Sequence, residues 1–378
     1  MNERKKDYLV LVPLSYCFSL PFFIEFVREA INELGEDLQM DILLFRGSEP
    51  AAPDLLNHPG INLIEIGGLG KLRYIYFWFK LIRLLFCKKY TASFFVSQFS
   101  MLLLAVIPNF RFGKIVYLND EIWELPKNAS FIKKTIKCME QRACRQVSAV
   151  VTQDKFRGRL VKLVNDNPQV PFVYIPNSRK TTPVERRIIP KKLGISDDTT
   201  VLLWSGSVSE GDGCLDLVYL IAKEEKNVCL VLHFRSKTLD DYKTRILKYI
   251  DNKKIFYVDT EFDYDNLDQL YMSADIGICP YPNRGVNARS IYYASGKINS
   301  FLACGVPIIT SDFHGLRWIS KNGLGVCLKK FPEGMHDAIT LINVQRAVFS
   351  SNALDFHRAH LNASEKWRKL INDVNESV

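Results

Sequence analysis

Residues Tyr292 to Phe313 read YYASGKINSFLACGVPIITSDF. A polar run holding Ser295, Gly296 and Lys297 leads into a helix-like pattern, and Gly305 and Pro307 separate that pattern from an apolar strand, Val306 to Ile309. A helix beginning near Gly296 presents unpaired backbone N–H groups and the positive end of its dipole. Ser295 can cap it, Gly296 lets an anion approach the backbone, and Lys297 adds a full charge, so the segment reads as a phosphate-binding arrangement. Gly305 is placed to close the helix and Pro307 to open the next strand. The same residues also read as a capped helix that merely carries an exposed lysine.

The strand–helix rhythm of this stretch extends through the chain. Toward the N-terminus it runs Leu9 to Val12, a helix over Phe22 to Leu34, Asp41 to Phe45, Ile61 to Ile66, a helix over Tyr74 to Phe86, Phe94 to Val96, Lys114 to Leu118, Ala149 to Thr152 and Phe172 to Ile175. It breaks at Pro176 to Pro190, a linker rich in Pro, Thr and charge, then restarts with Thr200 to Trp204, Val228 to His233, Lys254 to Tyr257 and Ile276 to Cys279, each followed by a helical pattern. Such alternation predicts parallel sheets covered by helices on both faces. At 378 residues the chain has the length of two domains. Two doubly wound α/β domains joined by a hinge follow, with ligands expected at the carboxyl ends of the strands, in a cleft between the domains. An amphipathic, charged pattern over Asn352 to Asn372 ends the chain.

Apolar residues make up 47% and charged residues 24%, values of an ordinary α/β protein. The net charge of +9 fits anionic partners in general: phosphorylated substrates, acidic lipid headgroups or nucleic acid. No nucleic-acid-binding motif accompanies that charge, and none is expected to be bound. The nine cysteines are scattered without a C-x-x-C pair, so neither a zinc site nor a disulfide framework is indicated and a reducing cytoplasm fits best. His233 and His314 are lone histidines near strand ends, and His58, His336, His357 and His360 lack metal-ligand spacing. The N-terminal MNERKKDYLVLVPL has no long apolar core or small-residue cleavage site; Tyr8 to Leu14 reads as a first strand. Tyr90 to Phe110 carries no charge and is long enough to span a bilayer, but Thr91, Ser93, Ser97, Gln98 and Ser100 interrupt it. A strand, Phe94 to Val96, and a buried helix, Met101 to Ile107, are expected there instead.

Lys71 to Lys89 (KLRYIYFWFKLIRLLFCKK) is an aromatic-rich basic helix. Arg73, Lys80, Arg83 and Lys88 fall on one side of its wheel, and Ile75, Trp78, Leu81, Ile82 and Leu85 on the other. Its apolar face is expected to cover the N-terminal sheet. Contact with an anionic membrane through 71–89 is a second reading, and both hold if the apolar face is wider than the sheet needs.

Ser295-Gly296-Lys297-Ile298, followed by Phe301-Leu302-Ala303-Cys304-Gly305-Val306-Pro307-Ile308-Ile309, resembles the nucleotide-sugar segment of GT-B glycosyltransferases, closest to the bacterial group-1, largely retaining enzymes. Members show variants of S-P-N-K-L-F-E-Y-L-A-A-G-x-P-V-I at this place. Ser273-Ala274-Asp275-Ile276-Gly277-Ile278 is similar to the strand entry that precedes it, Tyr174-Ile175-Pro176-Asn177 to the close of the family's first domain, and Asn119-Asp120-Glu121-Ile122-Trp123 to the H-E-x-W loop of some members. VLLWSGSVSEGDG, Val201 to Gly213, stands where the family shows a strand and then G-R-L-x-x-x-K-G.

The resemblance implies a GT-B fold of two Rossmann-like domains: 1–180 binding an acceptor, 181–350 binding a nucleotide sugar, and 351–378 returning as a helix onto the first, with Leu354, Leu361 and Trp367 as anchors. It implies a retaining hexosyl transfer from a nucleoside diphosphate sugar to a glycan or lipid-linked acceptor, with no metal and no cofactor. The setting would be cell-surface polysaccharide assembly, in the cytoplasm or peripherally on the inner face of the membrane. The donor would be held by Ser205, Gly206, Ser207, Arg235, Arg284, Ser295, Gly296, Lys297, Asn299 and Ser300, with Lys297 stabilising the leaving diphosphate and Arg289 near the same loop. Asp120 or Glu121 would orient or deprotonate the acceptor hydroxyl; Glu121 aligns with the family's carboxylate and Asp120 with its histidine. The family's Arg and Lys align with Ser207 and Asp212, and its glutamate pair with Tyr292 and Ser300. A GT-B scaffold without transfer activity, binding a glycan or a protein partner, is the alternative those departures keep open.

Overall fold

The computed structural model describes residues 5–376 apart from 15–17, 19, 48–53, 69, 108, 127, 168, 183, 224–226, 235–239, 252 and 261, and of Lys71 the backbone only. The chain divides into two compact units, one built from residues 1–177 and 363–378 and the other from 178–362.

The first unit runs β1 (Lys6–Val12), α1 (Pro21–Leu34), β2 (Leu38–Phe45), β3 (Ile61–Ile66), α2 (Arg73–Cys87), β4 (Ala92–Val96), α3 (Ser97–Leu104), β5 (Lys114–Leu118), α4 (Phe131–Cys144), β6 (Ala149–Thr152), α5 (Lys155–Asn165) and β7 (Phe172–Tyr174). Its seven strands lie in the order β3-β2-β1-β4-β5-β6-β7, every pair parallel. Tyr8 to Val12 and Phe94 to Val96 are buried on both faces, which explains their nearly unbroken apolar runs. The uncharged stretch after Tyr90 is thus β4 and α3, although α3 starts at Ser97 and ends at Leu104 rather than running Met101 to Ile107 as expected, and no helix among the described residues is long and apolar enough to cross a membrane.

The second unit runs α6 (Ile188–Lys192), β8 (Thr200–Gly206), α7 (Cys214–Ala222), β9 (Val228–Phe234), α8 (Asp241–Leu247), β10 (Ile255–Tyr257), α9 (Leu267–Tyr271), β11 (Ile276–Cys279), α10 (Gly285–Arg289), α11 (Gly296–Ala303), β12 (Ile308–Ser311), α12 (Trp318–Lys321), β13 (Gly325–Leu328), α13 (Met335–Val344) and α14 (Arg346–Phe356). Its sheet has the order β10-β9-β8-β11-β12-β13, all parallel. Alternation along β8 sends Val201 and Leu203 into the core on one face and Leu202 and Trp204 into the core on the other. The linker is pinned by a buried ion pair, Arg179 to Asp268 at 3.1 Å, and Asp268 also accepts from the Thr182 amide at 2.7 Å.

The chain then returns as α15 (Ser364–Asn375) to the first unit, where Trp367 packs edge-on against Phe22 (5.0 Å between centroids) and tilted against Phe26 (5.3 Å). Of the three anchors read from the sequence, Trp367 alone serves there. Leu361 lies in the core of the second unit and Leu354 beside Gly305, because the amphipathic pattern is not one helix. His357–Leu361 is a π-helical turn after α14, its His357 Nε2 hydrogen-bonded to Ser178 Oγ at 2.8 Å, and residues 362–363 break the chain before α15.

The α2 wheel also needs correction. Phe77, Leu81 and Leu85 face the core, whereas Ile75 and Ile82, assigned to the covering face, are exposed. The apolar surface of this helix is wider than the sheet covers.

Candidate functional site

At the carboxyl end of the second sheet, α11 starts as the sequence suggests. Ser295 Oγ accepts from the Ile298 amide at 3.1 Å, leaving the amides of Gly296 and Lys297 unused within the helix. The other end is a Schellman turn: Gly305 at φ +67° donates to Leu302 O (3.0 Å) and Val306 to Phe301 O (2.9 Å). That turn consumes the Val306 amide, so β12 begins at Ile308 rather than Val306. The helix sits close to the sheet because Gly277 lies under Phe301; a Cβ there would stand 2.6 Å from the ring.

Lys297 turns back over the strand ends. Its Nζ lies 5.6 Å from the Trp204 ring centroid and 5.4 Å from that of Tyr281, a cation held by two aromatic rings. The Tyr281 hydroxyl shares a 2.6 Å hydrogen bond with Ser295 Oγ, which couples the ring to the cap. Among the described residues Lys297 forms no salt bridge. Gly206 adjoins its aliphatic stem, and Ser205 Oγ pairs with His233 Nδ1 at 3.3 Å, burial holding that imidazole's pKa below its ordinary value. Ser207 is exposed.

Asp212, in the place of the family's lysine, accepts from the Ser209 amide (2.6 Å), the Cys214 amide (2.9 Å) and the Tyr242 hydroxyl (3.1 Å). It therefore shapes the loop before α7. Burial raises its pKa while the nearby Lys297 charge opposes the rise. Arg284 and Arg289 are exposed at the two ends of α10, and Arg235 lies outside the described residues. Asn299 and Ser300 are buried on the inner side of α11, and Asn299 Nδ2 donates to Tyr293 O at 2.9 Å. Trp204 and Tyr281 are the site residues that sequence reading missed. The signal was an aromatic directly before Ser205 and another just beyond the end of β11, both at carboxyl strand ends. Among the described residues no group of three or more His, Cys, Asp and Glu side chains could hold a metal ion.

In the first unit, Asp120 and Glu121 follow β5. Asn119 Nδ2 donates to the Tyr117 hydroxyl (2.9 Å) and Glu121 O (3.0 Å), Gln153 Nε2 to Asn119 O (2.9 Å), and Arg157 Nη2 to Asp120 O (2.9 Å). Asp154 caps α5 through the Phe156 and Arg157 amides and so fixes the arginine. The loop is thus held by several hydrogen bonds while Glu121 is exposed. Asp120 is partly exposed overall, but its Oδ1 is enclosed and has no hydrogen-bond partner among the described residues. Burial foremost, and then the Glu121 charge, push its carboxyl up to about 7; backbone amides and Arg157 act the other way.

The folded state then holds a proton on Asp120 that the unfolded chain, with an ordinary carboxyl near 3.8, has already lost. Stability from this group is present below pH 4 and declines as pH rises toward 7. Asp120→Asn is expected to remove that slope, raising the melting temperature relative to the wild type more at pH 8 than at pH 5. Equal differences at the two pH values would refute the assignment.

No family model matches the sequence, and no curated protein matches it. Solved structures do. Sucrose-phosphate synthase from Thermosynechococcus elongatus superposes with a TM-score of 0.69 at 15% identity, covering 97% of each chain. HepE from Anabaena in complex with UDP-glucose gives 0.68 at 16%, covering 98% of this chain and all of the other. A glycosyltransferase from Rickettsia africae gives 0.68 at 15%, covering both chains fully. The fold is GT-B. At this identity the fold is what is shared, and each parallel-sheet unit is one Rossmann-like half of the GT-B architecture. The α11 start and the β5 loop both lie at carboxyl strand ends, where open α/β sheets place ligands.

Proposed function

We propose that this GT-B chain is a glycosyltransferase, moving a hexose-type sugar from a nucleoside diphosphate donor held by the second unit to a hydroxyl of an acceptor held by the first. The observation that carries the reading is Lys297, a cation held over Trp204 and Tyr281 beside two uncommitted helix-start amides. HepE, solved with UDP and with UDP-glucose, supports a uridine donor. In the reaction the bond from the anomeric carbon to the diphosphate breaks, and the new charge settles on phosphate oxygens where Lys297 and the Gly296 and Lys297 amides stabilise it without a metal. Ser205, Gly206 and Ser207 line the approach, and Arg284 and Arg235 supply further charge to the diphosphate. Asn299 and Ser300 would reach a ribose hydroxyl only if the α11 start shifts on binding. A carboxyl poised near neutral pH on Asp120, or the exposed Glu121, accepts or orients the acceptor proton. Retention at the anomeric carbon, a glycan or lipid-linked acceptor, and a place in polysaccharide assembly at the inner face of the membrane complete the proposal.

Ser207 and the committed Asp212 favour a second reading, a GT-B scaffold that binds without transfer. Calorimetric titration with UDP, GDP and ADP, paired with turnover of a nucleotide-sugar panel, decides between them. Binding with turnover is expected; binding without turnover selects the scaffold, and no nucleotide binding overturns the transferase reading. A product with inverted anomeric configuration by NMR would refute retention.

A further inference from the structure

We propose that the first unit docks on an anionic lipid surface through the outward stripe of α2. Leu72, Ile75, Phe79, Ile82 and Phe86 are separated alternately by three and four positions, the spacing that aligns side chains along one helix face, and all five are exposed. Phe79 is 67% and Phe86 78% exposed, so this face lies on the other side from Phe77, Leu81 and Leu85 in the core. Near the helix end Arg111 Nη1 donates to Phe86 O at 3.4 Å, and Phe110, next to Arg111 in the chain, is exposed as well. A contiguous row of bare aromatic and aliphatic side chains marks an interaction surface.

Charge selects the occupant. Residues 71–90 contain Lys71, Arg73, Lys80, Arg83, Lys88 and Lys89 and no Asp or Glu. Lys88 is paired with Asp41 at 2.9 Å and Arg73 stacks 4.5 Å over Phe45, whereas Lys80, Arg83 and Lys89 have no acidic partner among the described residues. Lys80 and Arg83, with Ile64, Leu84 and Cys87, line an open recess of about 290 Å³ beside the stripe, a place for a lipid phosphate. Pairing two copies through this seam would bring basic flanks together with no carboxylate in the segment to offset them. An anionic bilayer answers both features: apolar side chains enter the interface while the cations meet headgroups. The fifteen residues of α2 reach about 22 Å at 1.5 Å each, short of the roughly 30 Å hydrocarbon core, so the helix lies on the membrane rather than across it.

Docking of this kind needs neither donor nor acceptor, so it stands or falls apart from the sugar-transfer reading. The test is sedimentation of the full chain with vesicles of phosphatidylglycerol and phosphatidylcholine, against phosphatidylcholine alone. Binding is expected to require phosphatidylglycerol and to weaken at high salt. Phe79→Ser/Phe86→Ser should lower the partition coefficient at least about tenfold, with the circular dichroism melt unchanged. Lys80→Gln/Arg83→Gln should lower it and flatten the salt dependence; the single Phe86→Ser serves if the double variant misfolds. Absence of binding to phosphatidylglycerol vesicles, or equal partition of all variants, would overturn the proposal. A stripe-dependent dimer that ignores vesicles would overturn it in favour of a second copy.

Discussion

Replacing Lys297 with Ala is expected to slow sugar transfer by two to three orders of magnitude while leaving the melting temperature nearly unchanged. A departing diphosphate gains charge on its oxygens, and a positioned cation acts where that charge appears without reorganising. Removing one such donor costs about 2.7–4 kcal/mol of transition-state stabilisation, which is roughly a hundred- to thousandfold in rate. The effect should stand toward the upper end here. Ser207 and Asp212 stand where the GT-B segment this stretch resembles carries its other diphosphate cations, and Asp212 is tied into its own loop, so of the proposed donor contacts only Arg284 and Arg235 remain to offset the lost charge. Stability has little to lose. A partly exposed cation over aromatic rings contributes about 0.5–1 kcal/mol, and a lysine at a helix start opposes the dipole. Single-turnover kinetics with calorimetric nucleotide binding would check this, and an unchanged rate would remove the phosphate role of α11.

Trp367→Ala should cost the first unit about 3–5 kcal/mol, the range for truncating a buried aromatic whose neighbours cannot close the gap. Trp367 is fully buried between Phe22 and Phe26 of α1, and Leu370, Ile371 and Val374 continue the same face of α15. Urea unfolding followed by circular dichroism measures the loss, and a change below about 1 kcal/mol, typical of a surface substitution, would contradict the packing. A truncation designed to isolate this effect belongs after Asn362. A cut after Ser351 would also remove the π-turn and Leu361, which belong to the second unit.

The sequence by itself determined whatever is encoded by neighbouring residues. Strand and helix alternation, the cap at Ser295, the turn at Gly305 and the division of the uncharged stretch after Tyr90 into β4 and α3 rest on period, capping and polarity, which act over a few positions. Tertiary structure alone decided what depends on sheet order. Lys297 meets Trp204 and Tyr281 because β8 pairs with β11, strands some seventy residues apart in sequence. Asp212 holds its loop through the nearby Ser209 and Cys214 amides, and only the fold adds the Tyr242 hydroxyl to them. The wheel of α2 shows how much of that helix is apolar, but which part is covered follows from where the core meets it, through Phe77, Leu81 and Leu85. Likewise the pattern over 352–372 is amphipathic throughout, and the break at 362–363 arises because its two ends pack on different units. A local pattern records that a face is apolar; only the assembled neighbours decide what that face covers.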